Sequence, residues 1–235
     1  LEKYKKMTEA TLVLVCKRPA PGSGKQRLTT GLGIKMTQQV ATALLACALE
    51  DACDWPGPVV IAPANTEDAE WARALSAQIP SAVTILPQVA GNLGQRLNAL
   101  DQTLRAQGME QLVFIGSDAP GLGTAEYMAT CTALQHADVV LIPALDGGVV
   151  LMANRCAWPD LSSLPWSSEQ LGIALMEVCR VAGQSVKMLA QGYDVDELED
   201  FVKLTTLLQQ DQRPARRALF VLSNMIMSTM KIAHV

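Results

Sequence analysis

Short apolar runs punctuate this chain at residues 11–16, 58–62, 82–86, 111–116, 138–143, 149–153 and 185–189. Each is too short for a buried helix and is bounded by turn-forming residues, as a strand buried on both faces would be. Between them the apolar positions change period. Leu32, Met36, Val40, Leu44 and Cys47 recur every three or four residues, as do Leu93, Leu97, Leu100 and Leu104. Strands alternating with amphipathic helices predict βαβ units and a mainly parallel sheet covered by helices on both faces.

The chain has enough apolar material for such a core: 49 % of its 235 residues are hydrophobic and 18 % charged, unlike a disordered segment. The net charge of −4 lacks the basic footprint of a nucleic-acid binder. Six cysteines, at positions 16, 47, 53, 131, 156 and 179, include no C-x-x-C pair and fall mostly in apolar stretches. They read as reduced core residues, which predicts a cytoplasmic protein. Met7 reads as a native start. The polar lead and the short run at 11–16 do not make a signal peptide, and no segment reads as a membrane span. The α/β pattern predicts a domain over residues 7–208. A polar break at 209–214 then gives way to a helical extension over 213–235, with Leu219, Leu222, Ile226 and Met230 at helical spacing. A helix apolar on most sides needs cover, so this one is expected to dock on the parent domain or on a second subunit as a homodimer.

Three loops at the carboxyl ends of predicted strands carry the candidate chemistry, where ligands of open α/β sheets bind. The first holds Lys17, Arg18, Pro21, Gly22, Gly24, Lys25 and Arg27. Its glycines let backbone approach a phosphate, and its cations neutralise one. Gly24-Lys25 also evokes a P-loop, but Pro19 stands where the first glycine belongs and Gln26 where a hydroxyl residue would hold magnesium. A P-loop ATPase is therefore the weaker reading. The second loop, Gly116-Ser117-Asp118-Ala119-Pro120, delivers a carboxylate suited to Mg²⁺ or Mn²⁺, or to capping the next helix. The third, Leu145-Asp146-Gly147-Gly148, delivers another carboxylate beside two glycines that leave room for a bulky ligand, or forms a plain Asp-Gly hairpin turn. Together they could neutralise a diphosphate. Weaker candidates are Gly94 and Arg96, for part of a nucleotide or an ordinary helix start, and Trp166, beside an acceptor pocket or merely packed. His136 and His234 lie away from these loops in sequence, which disfavours a serine triad or a histidine-rich zinc site.

Taken in order, K-R-P-x-P-G-x-G-K-x-R-L, G-N-L-G-Q-R-L, I-G-S-D-A-P, P-A-L-D-G-G, P-W-S-S and D-V-D-E-L-E-D resemble the rSAM/selenodomain-associated transferase family. The chain is similar also to 2-phospho-L-lactate guanylyltransferase. The resemblance spans about residues 10–205. It implies a Rossmann-like GT-A nucleotide-diphospho-sugar transferase fold and a nucleotidyl- or glycosyltransferase. Such an enzyme takes a nucleoside triphosphate or nucleotide-sugar, a small-molecule acceptor and a divalent cation. Carried over, Lys17, Lys25 and Arg27 face phosphates, Asp118 ligates metal, and Asp146 stands on the acceptor side or completes the metal shell. Val149 and Val150 replace two tyrosines usual in the family after D-G-G, so a catalytically degenerate nucleotide-binding scaffold is the main alternative.

Overall fold

A computed structural model describes residues 9–22 and 24–233, without the side chains of 230–233. Met7 and His234, and the side chains of Met230 and Lys231, lie outside the described residues. All seven apolar runs are strands: β1 (Ala10–Cys16), β2 (Val59–Pro63), β3 (Val83–Ile85), β4 (Gln111–Ile115), β5 (Val139–Pro143), β6 (Val149–Asn154) and β7 (Val186–Met188). The helices are α1 (Gln26–Asp54), α2 (Ala69–Ser76), α3 (Leu93–Ala106), α4 (Thr124–Ala133), α5 (Leu171–Val181), α6 (Asp200–Leu207) and α7 (Pro214–Ala233). One seven-stranded sheet runs β3-β2-β1-β4-β6-β5-β7.

Alternation along the central strands divides the core. Leu12 and Leu14 of β1, Val59 and Ile61 of β2, and Val113 and Ile115 of β4 pack on one face, beneath α1, α2 and α4. Val13, Val60, Leu112 and Phe114 point to the other, beneath α3 and α5. A strand buried on both sides needs apolar side chains at every position, which is why these runs carry no polar alternation. The sheet is the Rossmann-like, mainly parallel α/β sheet expected, with one departure. β6 runs antiparallel to both β4 and β5, because only five residues separate β5 from β6, too few for a parallel crossover.

Helix α1 is interrupted at Gly33 (φ 73°) and is longer than its period implied. By length and composition it could cross a membrane, which the sequence reading missed. Core helices of globular folds pass the same test. Here Leu45, Ala48 and Leu49 of α1 pack on the sheet, and Val40, Leu44 and Cys47 meet α6 and α7. Helix α7 thus docks on the parent domain. It is pinned by Arg216, which is fully buried. Arg216 donates to Asp51 at 2.7 Å, to Glu50 at 3.0 Å, and to the carbonyls of Cys47, Pro120 and Leu122. Arg213 reaches the other oxygen of Asp51 at 2.9 Å, and the Tyr127 hydroxyl donates to Asp51 as well. Burial raises the Asp51 carboxyl to about 6, while Arg216, the hydrogen bond from Tyr127, and Arg213 pull it back down.

Candidate functional site

The loop after β1 ends in a tight left-handed curl. Gly22 and Gly24 have φ of 74° and 71°, and Lys25 follows at 48°. The glycines are required for this conformation and not for closeness, since a Cβ at either would touch nothing within 4 Å. A lysine in the left-handed region is strained, and such residues cluster at functional sites. Among the described residues the only other non-glycine case is Ser167 (φ 65°), which lines the cleft described below.

The curl throws the Lys25 side chain across the ends of the strands. Its Nζ lies 3.2 Å from Asp118 Oδ2, 2.6 Å from Asp196 Oδ1 and 2.6 Å from the Val195 carbonyl oxygen. Asp118 follows β4 and accepts no helix-cap hydrogen bond; α4 begins later, at Thr124. The cationic turn and Asp118 therefore meet directly.

The D-G-G segment is a hairpin turn between β5 and β6: the Gly147 amide donates to the Ala144 carbonyl, and the Gly148 amide to Asp146 Oδ1 at 2.9 Å. The turn still serves the site. Gly147 has φ 87°, and a Cβ there would collide with the Glu169 carbonyl. Its glycine therefore lets the turn nest against the entry to α5, where Gly172 donates to the Gly147 carbonyl at 2.9 Å.

The segment after β7 completes the arrangement. Gly192 donates to the Pro143 carbonyl at 2.8 Å, and a Cβ on it would strike Val150 and Ile142. With no side chain there, the chain lies flat on the sheet end and delivers Asp194 and Asp196. Asp200 shapes the next turn, its Oδ2 accepting from the amides of Asp196 and Glu197 at 2.9 and 2.8 Å. Ligand oxygens of Asp146, Asp194 and Asp196 all lie within 4.8 Å of one another. Burial raises the Asp194 carboxyl to about 7, helped by the charges of Asp118, Asp146 and Asp196 and opposed by Lys25. Asp146, Asp194 and Asp196 border a cleft of about 780 Å³, lined also by Arg27, Pro165, Ser167, Ser168, Tyr193 and Lys203.

The structure thus brings Lys25, Arg27, Asp118 and Asp146 to one end of the sheet. It does not bring every candidate there. Lys17 and Arg18 are exposed, and Arg18 turns to Asp68 at 3.7 Å. Arg96 donates to the Gly91 carbonyl at 2.8 Å within the start of α3, where Asn92 and Gln95 form a capping box. Gly94 is pressed against the Leu161 carbonyl and the Trp166 indole. That indole donates to Leu161 at 3.0 Å and packs into the core, leaving Pro165, Ser167 and Ser168 to line the cleft. Asp194 and Asp196 are the functional candidates that sequence reasoning left without a role. Their signal was present: carboxylates just past a strand, as at 118 and 146. All six cysteines are free. Burial pushes the thiols of Cys16, Cys47, Cys131 and Cys179 up to about 12, so they are inert core residues.

A family model described as an uncharacterized protein conserved in bacteria (DUF2064) matches residues 45–168, just over half of the chain. The chain belongs to this family. The DUF2064 match takes in Asp118 and Asp146 but neither Lys25 nor the Asp194–Asp196 segment. No curated protein matches the chain by sequence. Among solved structures, one from Desulfovibrio desulfuricans G20 described as a "putative nucleotide-diphospho-sugar transferase" aligns with a TM-score of 0.80 at 22 % identity, over 95 % of this chain and 97 % of that one. A cytidylyltransferase from Leptospira borgpetersenii aligns at 0.53 and 12 % identity, over 94 % and 96 %. The 4-diphosphocytidyl-2C-methyl-D-erythritol synthase of Anaerococcus prevotii aligns at 0.52 and 12 %, over 86 % and 100 %. This DUF2064 chain therefore has the nucleotide-diphospho-sugar transferase fold.

Proposed function

We propose that the protein is a metal-dependent transferase that takes a nucleoside triphosphate or a nucleotide-sugar as donor and passes its nucleotidyl or glycosyl group to a small-molecule acceptor. The observation that carries this reading is the meeting of Lys25 with Asp118, beside Asp146, Asp194 and Asp196, at the carboxyl ends of the strands. Transferases named for both reactions share the fold.

The cleft is lined by the carboxylates Asp146, Glu169, Asp194, Asp196, Glu197 and Asp200 against the cations Arg27 and Lys203. A polyanionic donor would be repelled from so acidic a site unless a cation came with it. The donor set fits one. Carboxylate oxygens gathered within 4.8 Å of one another suit a hard divalent ion such as Mg²⁺ or Mn²⁺. Asp146, Asp194 and Asp196, whose oxygens converge, would hold it, and Asp118, across Lys25 from Asp196, would complete the shell. Such an ion supplies neutralising charge to the diphosphate as it leaves.

The chain's own groups supply the rest. Lys25 and Arg27 favour the departing diphosphate electrostatically, at the point where charge accumulates. The turn at Gly147 and Gly148 seats Asp146 against the entry to α5 and opens no space of its own for a bulky ligand, and Ser167 offers a hydroxyl to an acceptor. An acceptor oxygen forms a bond to phosphorus or to the sugar carbon as the bond to the leaving group breaks. Its proton passes to a carboxylate of the cleft. Val150, where the resemblance expects a tyrosine, is buried beneath Gly192, so it supplies neither a hydroxyl nor a stacking surface to an acceptor. A cytoplasmic location, the absence of a membrane span, and a homodimer through the exposed Val221 and Met225 of α7 are further parts of the proposal.

Labelled nucleoside triphosphates and nucleotide-sugars, each with and without Mn²⁺ and a panel of hydroxylated acceptors, test the reading. Pyrophosphate release identifies nucleotidyl transfer, and nucleoside diphosphate release identifies glycosyl transfer. Thermal stabilisation by metal and nucleotide without turnover of any donor identifies a degenerate scaffold. ATP hydrolysis lost on Lys25→Ala but kept on Asp146→Ala identifies a P-loop-like ATPase. No stabilisation by any nucleotide sinks the proposal.

A further inference from the structure

Lys25 stands in the wrong company for a phosphate-binding lysine. An ammonium has three N–H donors, and the Lys25 group lies within hydrogen-bond distance of three acceptors, Asp118 Oδ2, Asp196 Oδ1 and the Val195 carbonyl. It has no donor left for a phosphate. Its surroundings, two carboxylates and a carbonyl oxygen, are the all-oxygen company that a hard divalent cation seeks.

The backbone that carries Lys25 is built to give it up. Gly22, Gly24 and Lys25 are all left-handed, and open space surrounds both glycines. A second, exposed contact, Arg27 to Glu197 at 3.2 Å, ties the start of α1 to the same segment after β7. Ion pairs to acids therefore hold Lys25 and Arg27 where the loop enters α1.

We infer that Lys25 is a tethered counter-ion occupying the carboxylate cluster, that a divalent cation displaces it, and that the freed ammonium then meets the donor's phosphates. Metal and nucleotide consequently bind with positive coupling. Metal alone must evict a lysine that has nowhere better to go, and nucleotide alone must draw it from two carboxylates that are left uncompensated. Each supplies what the other displaces. This inference rests on the transferase reading above.

The test is calorimetric titration of Mn²⁺ into the full chain and into Lys25→Met, without nucleotide and then with a saturating nucleoside triphosphate. In the wild type, nucleotide should tighten Mn²⁺ binding about tenfold, within the usual range for coupled ligands. In Lys25→Met, Mn²⁺ alone should bind about tenfold more tightly than to the wild type, and the nucleotide effect should shrink. Equal Mn²⁺ affinity in the two proteins overturns the lysine displacement while leaving a metal-dependent transferase in place. Absence of Mn²⁺ binding by either protein, with or without nucleotide, overturns both. A measurement on the wild type guards against a misfolded variant. Acylation of Lys25 by an amine reagent, followed by mass spectrometry, should rise several-fold when Mn²⁺ is added and fall again with nucleotide. Labelling unmoved by Mn²⁺ rejects the inference.

Discussion

Two of the charged clusters among the described residues are built on different principles. Behind the sheet, Arg216 and Arg213 face Asp51 and Glu50, with Tyr127 and backbone carbonyls filling the remaining hydrogen-bond positions. Side chains of Arg216 and Asp51 are 0 % and 3 % exposed. At the strand ends, Lys25 faces Asp118 and Asp196, with Asp146 and Asp194 close by, and Asp118 and Asp196 are 41 % and 40 % exposed. The first cluster is largely buried, every carboxylate in it is paired with Arg213 or Arg216, and it fastens α7 to α1. The second is open and has more carboxylates than cations. Crowded like charges repel one another, so an unbalanced acidic cluster at the ligand end of a parallel sheet is better explained by something that arrives than by something that holds.

The contrast breaks first at Arg216. Replacing it by Met leaves Asp51 and Glu50 without their buried partner, which should cost about 3–5 kcal/mol. Chemical denaturation should show that loss, and Mn²⁺ should not restore it. A loss below about 1 kcal/mol would mean that α7 is held by its apolar contacts alone.

Asp118→Ala acts on the open cluster. The Val195 amide bonds to the backbone carbonyl of residue 118 at 2.9 Å, so the substitution spares the docking of the last segment. Unfolding midpoints should stay close to wild type. Metal-dependent nucleotide stabilisation should vanish, and any turnover should fall about a hundredfold or more. A variant that unfolds would assign Asp118 a structural duty and erase the distinction between the clusters.

That distinction was only half legible in the sequence. The strands declared themselves because burial on both faces demands unbroken apolar runs, and Asp118 and Asp146 because each follows such a run. The direction of β6 was hidden, since a buried strand reads the same both ways and only the short connection through Asp146-Gly147-Gly148 sets it. Arg216 stands in a helix without carboxylates, where nothing local marks it for burial. Its partners Glu50 and Asp51 are 166 and 165 residues away, and no local pattern records such a distance. Asp194 and Asp196 could have been found by the rule that found the other two. What could not be read is that Lys25 crosses to them, because that depends on a left-handed curl and on a glycine at 192 letting the last segment lie flat.

Each cluster holds a raised carboxyl, Asp51 at about 6 and Asp194 at about 7, but only Asp194 lies where an arriving cation would compete with the proton. Its carboxyl is raised to about 7 in the fold against an ordinary 3.8. The folded protein therefore holds a proton that the unfolded chain has released, and this contribution to stability is complete below about pH 4 and lost as pH rises through 7. A metal ion must expel the same proton. Mn²⁺ affinity should climb up to about tenfold per pH unit between 5.5 and 7 and level off above, while Asp194→Asn should flatten the profile. A steep climb that persists to pH 9 would point to a different titrating group.

The smallest effect is the most direct comparison. Lys25→Met removes a cation from the open cluster as Arg216→Met does from the buried one. The carboxylates left behind at 118 and 196 reach water, where exposed pairs contribute about 0–1 kcal/mol. Without metal, Lys25→Met should therefore lie within about 1 kcal/mol of wild type in chemical denaturation, several-fold less than the cost at Arg216. Equal costs at the two positions would mean that the cleft is a second structural clasp. An acidic cluster that hardly notices the loss of its own lysine has its carboxylates in place for a ligand's charge and not for the fold.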